Sequence, residues 1–162
     1  MTDVGIFLPT EITCVDELLQ AYLTQTDHGG YDFLVYRNGE GPLGFACYGP
    51  HPLTEGTFDL YWLCTVPKAQ GQGIGGALLR RVEEEVRTQG GRLLLAETSS
   101  TPAYAPARRF YESHGFRYES VVHDFYSPSD HLLIYAKRLD GAVKRCSGET
   151  TPSTSGKRTH DE

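Results

Sequence analysis

The chain has 162 residues, 39% of them hydrophobic and 11% aromatic, and a formal net charge of −6. That length fits one domain with a single substantial core, and the acid excess argues against nucleic acid as the main partner. No run approaches the roughly eighteen apolar residues that span a bilayer, and the opening MTDVGIFLPTEIT lacks the blocks of a signal peptide, so a cytoplasmic protein away from membranes is expected.

Residues 9–25 place Ile12, Val15, Leu18, Leu19 and Tyr22 at helical spacing, with Thr10 as the candidate N-cap. The stretch 31–49 reads as a hairpin, two alternating segments joined around Asn38-Gly39, a favoured turn dipeptide. The loop PHPLTEGT leads to a third strand, FDLYWLCTV, at 58–66. Short connections make these strands antiparallel.

The character then changes. Gly71, Gly73, Gly75 and Gly76 fall together ahead of a helix whose one face carries Ile74, Ala77, Leu78, Val82 and Val86. Glu83 and Arg87 are spaced as an i,i+4 pair on its other face, and Gly90-Gly91 ends it. RLLLAE at 92–97 is nearly continuous in apolar residues, as expected of a strand covered on both faces. Strand, helix and buried strand together predict one parallel crossover.

In the next segment, PAYAPARRFYESHGF, Pro106 belongs in a first helical turn, which sets the start near Ala105, and Gly115 closes the helix. FRYESVVHDFY and HLLIYAKRL read as a closing antiparallel pair. From Asp140 onward there is almost no apolar content. Lys144, Arg145, Lys157 and Arg158 there balance Asp140, Glu149, Asp161 and Glu162. The expected organisation is a domain over 1–139 and a disordered tail over 140–162. Cys14, Cys47, Cys64 and Cys146 are widely spaced and form no C-x-x-C pair, so neither a disulfide framework nor a metal site is expected.

Gly71, Gly73 and Gly76 satisfy the dinucleotide pattern G-x-G-x-x-G, with Glu97 downstream as an acid. In that fold the first glycine lies in the tight turn directly after a strand. Here Pro67 to Gln70 intervene after Val66. No Gly-Lys-Ser/Thr follows, which removes a P-loop. What remains is general: glycines admit an anion to backbone amides, and a helix's first turn offers unpaired donors. A pyrophosphate would sit against the amides from Gly71 to Ala77. From the loop alone, a turn holding nothing reads equally well.

The wider pattern is more specific. VPKAQGQGIGGALL resembles the Q/R-x-x-G-x-G/A acetyl-CoA loop of the GNAT N-acetyltransferase superfamily, with Gln70, Gly73 and Gly75 at the motif positions. RRFYESHGF resembles the same superfamily's later helix, and the two motifs stand in the superfamily's order. The resemblance runs from about Tyr31 to Leu139, and the loops 48–62 and 124–130 are similar to those of a bacterial subgroup whose acceptor they do not name. It implies an α/β (α+β) fold: a splayed mixed β-sheet flanked by helices, with an antiparallel N-terminal hairpin and one parallel βαβ crossover.

The resemblance also implies chemistry. Acetyl-CoA would wedge between strands 58–66 and 92–97, the first of them bulged, with the backbone of Leu63, Cys64 and Thr65 along the pantetheine. The diphosphate loop comprises Gln70, Gly71, Gln72, Gly73, Ile74, Gly75 and Gly76. Gly71 and Gln72 stand where basic side chains are frequent, so the anion would rest on amides, with Lys68 close by.

The implied reaction is direct attack in a ternary complex, from acetyl-CoA onto a primary amine of a small molecule or peptide. Tyr111 occupies the general-acid position, where a phenol near pKa 10 can protonate the leaving sulfur. Glu97 is the candidate base, or else a carboxylate bonded to the following Thr-Ser-Ser or to an arginine. An amide near Cys64 or Thr65 would steady the oxyanion. Asp59 and Asp124 are weaker candidates for holding the acceptor or relaying a proton through water, and Thr98, Ser99 and Tyr104 for lining the acceptor pocket or the cofactor groove. His51, His123 and His131 have the chemistry to titrate usefully but read better as surface or loop histidines. Arg108 and Arg109 read better as partners of surface acids than as ligands of a 3′-phosphate.

The superfamily's usual opening strand and helix are short here, since only eight residues precede Pro9. A natural shortening, a truncated frame or an element exchanged in a homodimer each accounts for it. The alternatives to an N-acetyltransferase are a non-catalytic acyl-CoA-binding regulatory module and an NAD-binding oxidoreductase.

Overall fold

The structure, a computed structural model, describes residues 30–39 and 41–139, together with residues 17, 20 and 22–24. Most of the expected first helix, the segment before it and the expected tail lie outside the described residues; 17, 20 and 22–24 are helical. The strands are β1 (Asp32–Asn38), β2 (Gly41–Pro50), β3 (Thr57–Thr65), β4 (Leu93–Ser99), β5 (Arg117–Ser127) and β6 (Asp130–Arg138). Two helices, α1 (Ile74–Thr88) and α2 (Ala105–Ser113), follow β3 and β4.

The strands form one six-stranded sheet in the order β1-β2-β3-β4-β6-β5. β3 and β4 are parallel and every other pair is antiparallel. This is the mixed α/β architecture expected. A doubly wound dinucleotide fold needs a largely parallel sheet, and a single parallel pair does not form one.

α1 lies over β1, β2 and β3. Its Leu79, Val82 and Val86 are fully buried, because their spacing puts them on one stripe facing the sheet. Below them lie Phe58 and Leu60 of β3, Leu94 and Ala96 of β4 and Tyr135 of β6, in one core. α2 begins at Ala105, with Pro106 in its first turn where its missing N–H costs no helical bond.

Two expectations need correction. β4 is not covered equally on both faces: Leu94 and Ala96 are buried, whereas Leu93 and Leu95 are only half-buried. Glu83 is not on the solvent face of α1. It is 6% exposed, because it falls on the same stripe as Leu79, Val82 and Val86. Its carboxylate accepts from Lys137 Nζ of β6 at 2.5 Å and from Arg87 at 3.3 Å. Arg87 is therefore one member of a three-residue network with Glu83 and Lys137.

Candidate active site

The sheet opens where β3 and β4 part. Their pairing covers four positions, from Thr57↔Leu93 to Leu60↔Ala96, and then stops. β4 continues along β6 as far as Ser99↔Leu132. β3 continues along β2, where Leu63, Cys64 and Thr65 face Ala46, Phe45 and Gly44. Between them β3 carries a bulge: Cys47 faces Trp62 and Tyr48 faces Leu60, so Tyr61 is the extra residue. A bulge bends its strand and sharpens the local twist, which turns β3 away from β4 at that point.

The glycine loop stands at the end of β3. Gly73 caps α1 in the left-handed region with no side-chain bond, and Ala77 is the first helical amide to meet a carbonyl, that of Gly73 at 3.0 Å. The amides before it have the orientation and partial positive charge that favour an anion. The four glycines divide two tasks. Gly71 and Gly73 have φ of 74° and 78° with open space beside their α-carbons; a Cβ on Gly75 or Gly76 would stand 3.3 Å from the Phe110 ring or 2.9 Å from His114 Nε2. The first pair shapes the turn and the second lets α2 approach α1. Gln72 turns back, its Nε2 donating to the Lys68 carbonyl at 2.8 Å. Lys68 and Gln72 line a depression of about 220 Å³ with Asn38, Leu43 and Ala69.

Tyr111 projects from α2 into the core. Its ring packs between Phe116 and Tyr135, with centroids 5.4 and 6.0 Å away, and the residue is 9% exposed. Burial, then the neighbouring Cys64 and Tyr126, push the phenol up to about 12, above the ordinary value for a tyrosine. Cys64, on the bulged strand, is thus an electrostatic neighbour of the hydroxyl. Tyr126, for which the sequence pattern offers no signal, is another; it lies in a stretch of β5 where the register with β6 slips between Val122 and Ser127.

A polar cluster occupies the opposite face of the sheet. Asp59 pairs with Leu95 across the parallel ladder, and Glu97 follows two residues later, so strand alternation puts both carboxylates on one face. His51 reaches back from the β2–β3 loop, with Nδ1 2.7 Å from Asp59 Oδ2, and the Tyr61 hydroxyl makes a longer contact to the same oxygen at 3.4 Å. Partial burial raises the Glu97 carboxyl above its ordinary range; the Asp59 charge adds to this, and His51 opposes it. Among the described residues, no bond from Glu97 to the following Thr-Ser-Ser or to an arginine forms. Spacing gives no signal for His51, because its meeting with Asp59 depends on how the loop folds back.

The other candidates stand apart. Ser99 Oγ donates to Asp130 Oδ1 at 2.6 Å and accepts the Thr101 amide at 3.0 Å, tying β4 to β6. Tyr104 is half-buried at the start of α2. Asp124 has φ of 53° and braces a turn: its Oδ1 accepts the Ser129 amide at 2.7 Å, and its own amide donates to His131 Nδ1 at 2.9 Å. Arg108 pairs with no acid among the described residues. It donates to the carbonyls of Ser99 and Thr101 at 2.7 and 2.9 Å, because the end of β4 leaves those oxygens within reach of α2. Among the described residues no cluster of His, Cys, Asp or Glu could hold a metal ion, and no helix is long and apolar enough to cross a membrane.

A parallel pair that separates beside a helix with unpaired leading amides offers a cleft with an anion-binding end. The chain belongs to the GNAT acetyltransferase family: the acetyltransferase (GNAT) domain model matches residues 29–118. A crystal structure from Desulfovibrio desulfuricans, assigned to the GNAT acetyltransferases, is 44% identical, covering 86% of this chain and 87% of that one with a TM-score of 0.82. The Bacillus subtilis N-acetyltransferase YsnE is 32% identical over 68 residues, 42% of this chain and 44% of that protein. The match thus spans less than half of the B. subtilis protein. A GNAT acetyltransferase from Elizabethkingia anophelis with acetyl-CoA bound shares the fold at 18% identity and a TM-score of 0.63, over 82% of this chain and 91% of that one.

Proposed function

We propose that the chain is an acetyl-CoA-dependent N-acetyltransferase that acetylates a primary amine of a small molecule or peptide, in the cytoplasm, through a domain ending near residue 139. The observation that carries this reading is the parting of β3 and β4 after Leu60 and Ala96, on the strand that leads into the glycine loop. The residues fit the donor: open space beside Gly71 and Gly73 admits an anion to the leading amides of α1. The β3 stretch Leu63–Thr65 would run along the pantetheine. Acetyl-CoA bound there supplies an activated acyl carbonyl.

The chain's residues supply the proton handling. Glu97, at the parting of the strands, accepts a proton from the acceptor nitrogen as the new bond forms. Burial and the Asp59 charge raise its affinity for protons above that of an ordinary carboxylate, which favours that role. Tyr111 delivers a proton to the leaving sulfur. At about 12 it is fully protonated in the working range, so the proton is always present. The donation is uphill by a few pH units unless the developing thiolate is held close to the hydroxyl.

Thiol release from acetyl-CoA, measured across polyamines, amino acids, aminoglycosides and peptide N-termini, tests the reading. Turnover with at least one amine is expected, together with thermal stabilisation by acetyl-CoA and none by NAD. Stabilisation by acetyl-CoA without any turnover would instead establish an acyl-CoA-binding module.

A further inference from the structure

We propose that His51 and Asp59 form a proton-accepting dyad, in which the His51 imidazole removes the first proton from the acceptor ammonium and passes it to solvent. The proposal deepens the acyl-transfer reading and rests on it.

The hydrogen bond fixes the tautomer. Nδ1 of His51 lies 2.7 Å from Asp59 Oδ2, and a carboxylate only accepts, so Nδ1 carries the hydrogen. Nε2 is left with its lone pair. An acid that orients an imidazole and stabilises the cation it becomes is a general device of base catalysis. The dyad has a sheltered end and a wet end: the side chain of Asp59 is 17% exposed and that of His51 46%.

The loop is anchored rather than loose. The His51 amide donates to the Thr57 carbonyl at 2.8 Å, the Thr54 hydroxyl to the His51 carbonyl at 2.8 Å, and Arg92 Nε to the Glu55 carbonyl at 2.8 Å. The titratable and charged groups that meet the imidazole or act on it are Asp59, with Tyr61 on the same carboxylate oxygen, on β3 and Glu97 on β4. Tyr31, ahead of β1, meets the Tyr61 ring edge-on at 5.2 Å.

The chemistry has a place for this dyad. An alkylamine is an ammonium ion near neutrality, and only the free amine is a nucleophile. The reaction therefore removes one proton before attack and a second as the C–N bond forms and the C–S bond breaks. One proton goes to sulfur, and one is released overall. Glu97 takes the second, and Tyr111 supplies the sulfur and is re-protonated from Glu97 through solvent, which leaves the first without a residue. Transfer from R–NH3+ to Nε2 gives R–NH2 and an imidazolium held by Asp59, and the exposed ring edge returns the proton to water. The imidazolium charge also favours an ionised Glu97, ready for the second proton.

Long-range 1H–15N spectra of the full chain, with the His51 signals assigned by their loss in His51→Gln, read the tautomer without any substrate. The Nδ1–H form is expected in the wild type, and its loss in Asp59→Ala. An Nε2–H form in the wild type leaves no lone pair facing the acceptor and overturns the dyad. Kinetics supply the second arm, as thiol release from acetyl-CoA with spermidine, an alkylammonium, and with hydroxylamine, a nucleophile that is neutral at pH 7. His51→Gln is expected to lower kcat/KM for spermidine by about tenfold or more at pH 7, with the gap closing as the pH rises to 10. Hydroxylamine turnover and the KM for acetyl-CoA should stay within about twofold. An equal loss with both amines at every pH overturns the base role. Failure of the underlying reading shows separately, as no thiol release from the wild type with either amine and no stabilisation by acetyl-CoA.

Discussion

Asp59 and Glu97 share one face of the sheet, on either side of the point where β3 and β4 part, and the charge of Asp59 raises the proton affinity of Glu97. The Asp59 charge opposes ionisation of Glu97, and partial desolvation of Glu97 makes up the larger part of the cost. Folding is therefore linked to pH through Glu97. A carboxyl whose folded pKa is raised stabilises the fold fully below its ordinary value of 4.5 and loses that contribution as pH rises through the folded value. Glu97→Gln removes the penalty, so the variant should melt higher than the wild type at pH 8 and not at pH 4. Its gain should be a degree or two, on the order of an exposed substitution. Thiol release should fall by about a hundredfold or more. Paired melting curves at the two pH values, and one rate, check both halves.

Tyr111→Phe separates a packing role from an acid. The ring contacts to Phe116 and Tyr135 survive the change, so stability should move by less than about 1 kcal/mol. With the phenol pushed up to about 12, it stays protonated throughout the assay range, so the wild type should show no alkaline loss of kcat from this residue up to pH 10. The variant should lose about a hundredfold in kcat with little change in the KM for acetyl-CoA. A rate within twofold of wild type would reduce Tyr111 to a core residue.

Much of the frame is readable from local pattern. Alternation around Asn38-Gly39 announces the β1–β2 hairpin, and Pro106 sets the start of α2 at Ala105. Spacing also carries the burial of Glu83, which sits one position from Val82 on the same stripe, but its acidity makes the solvent face the natural reading. Its partner Lys137 is 54 residues away, and no local pattern reports such a meeting. The same holds at the site. His51 and Asp59 meet because a loop folds back between β2 and β3. The left-handed backbone of Asp124 and the carbonyl partners of Arg108 depend on turns whose shape composition does not encode.

Glu83 offers a stability test away from the chemistry. Its carboxylate serves Lys137 and Arg87 together while itself buried. Glu83→Ala leaves the Lys137 ammonium, whose side chain is 22% exposed, without its anion. Removing one partner of a buried pair costs about 3–5 kcal/mol; the residual access of Lys137 and Arg87 to water should bring the loss to about 2–3 kcal/mol. Glu83→Gln keeps the shape and an acceptor and should lose less. Urea unfolding of the three proteins at pH 7 gives the order directly, and equal stability of wild type and Glu83→Ala would mean that water replaces the network without loss.

The glycine loop yields the last test, because its glycines are needed for different reasons. Gly73 has φ of 78°, and a Cβ added there would meet nothing within 4 Å, so alanine at this position faces only backbone strain, about 1–2 kcal/mol. Asparagine tolerates that conformation, and Gly73→Asn should recover most of the loss. At Gly76 the backbone is helical and alanine gains about 1 kcal/mol of propensity. There, however, the added carbon stands 2.9 Å from His114 Nε2, and the ring is pinned by its Nδ1 bond to the Phe110 carbonyl at 2.8 Å. The ring must break that bond or push α2 off α1, so Gly76→Ala should be destabilising despite its propensity, and Gly76→Asn should be worse. Asparagine thus rescues at one position and harms at the other. Thermal unfolding of the four variants would show that opposition, and parallel behaviour at both sites would mean that a single requirement, not two, governs the turn.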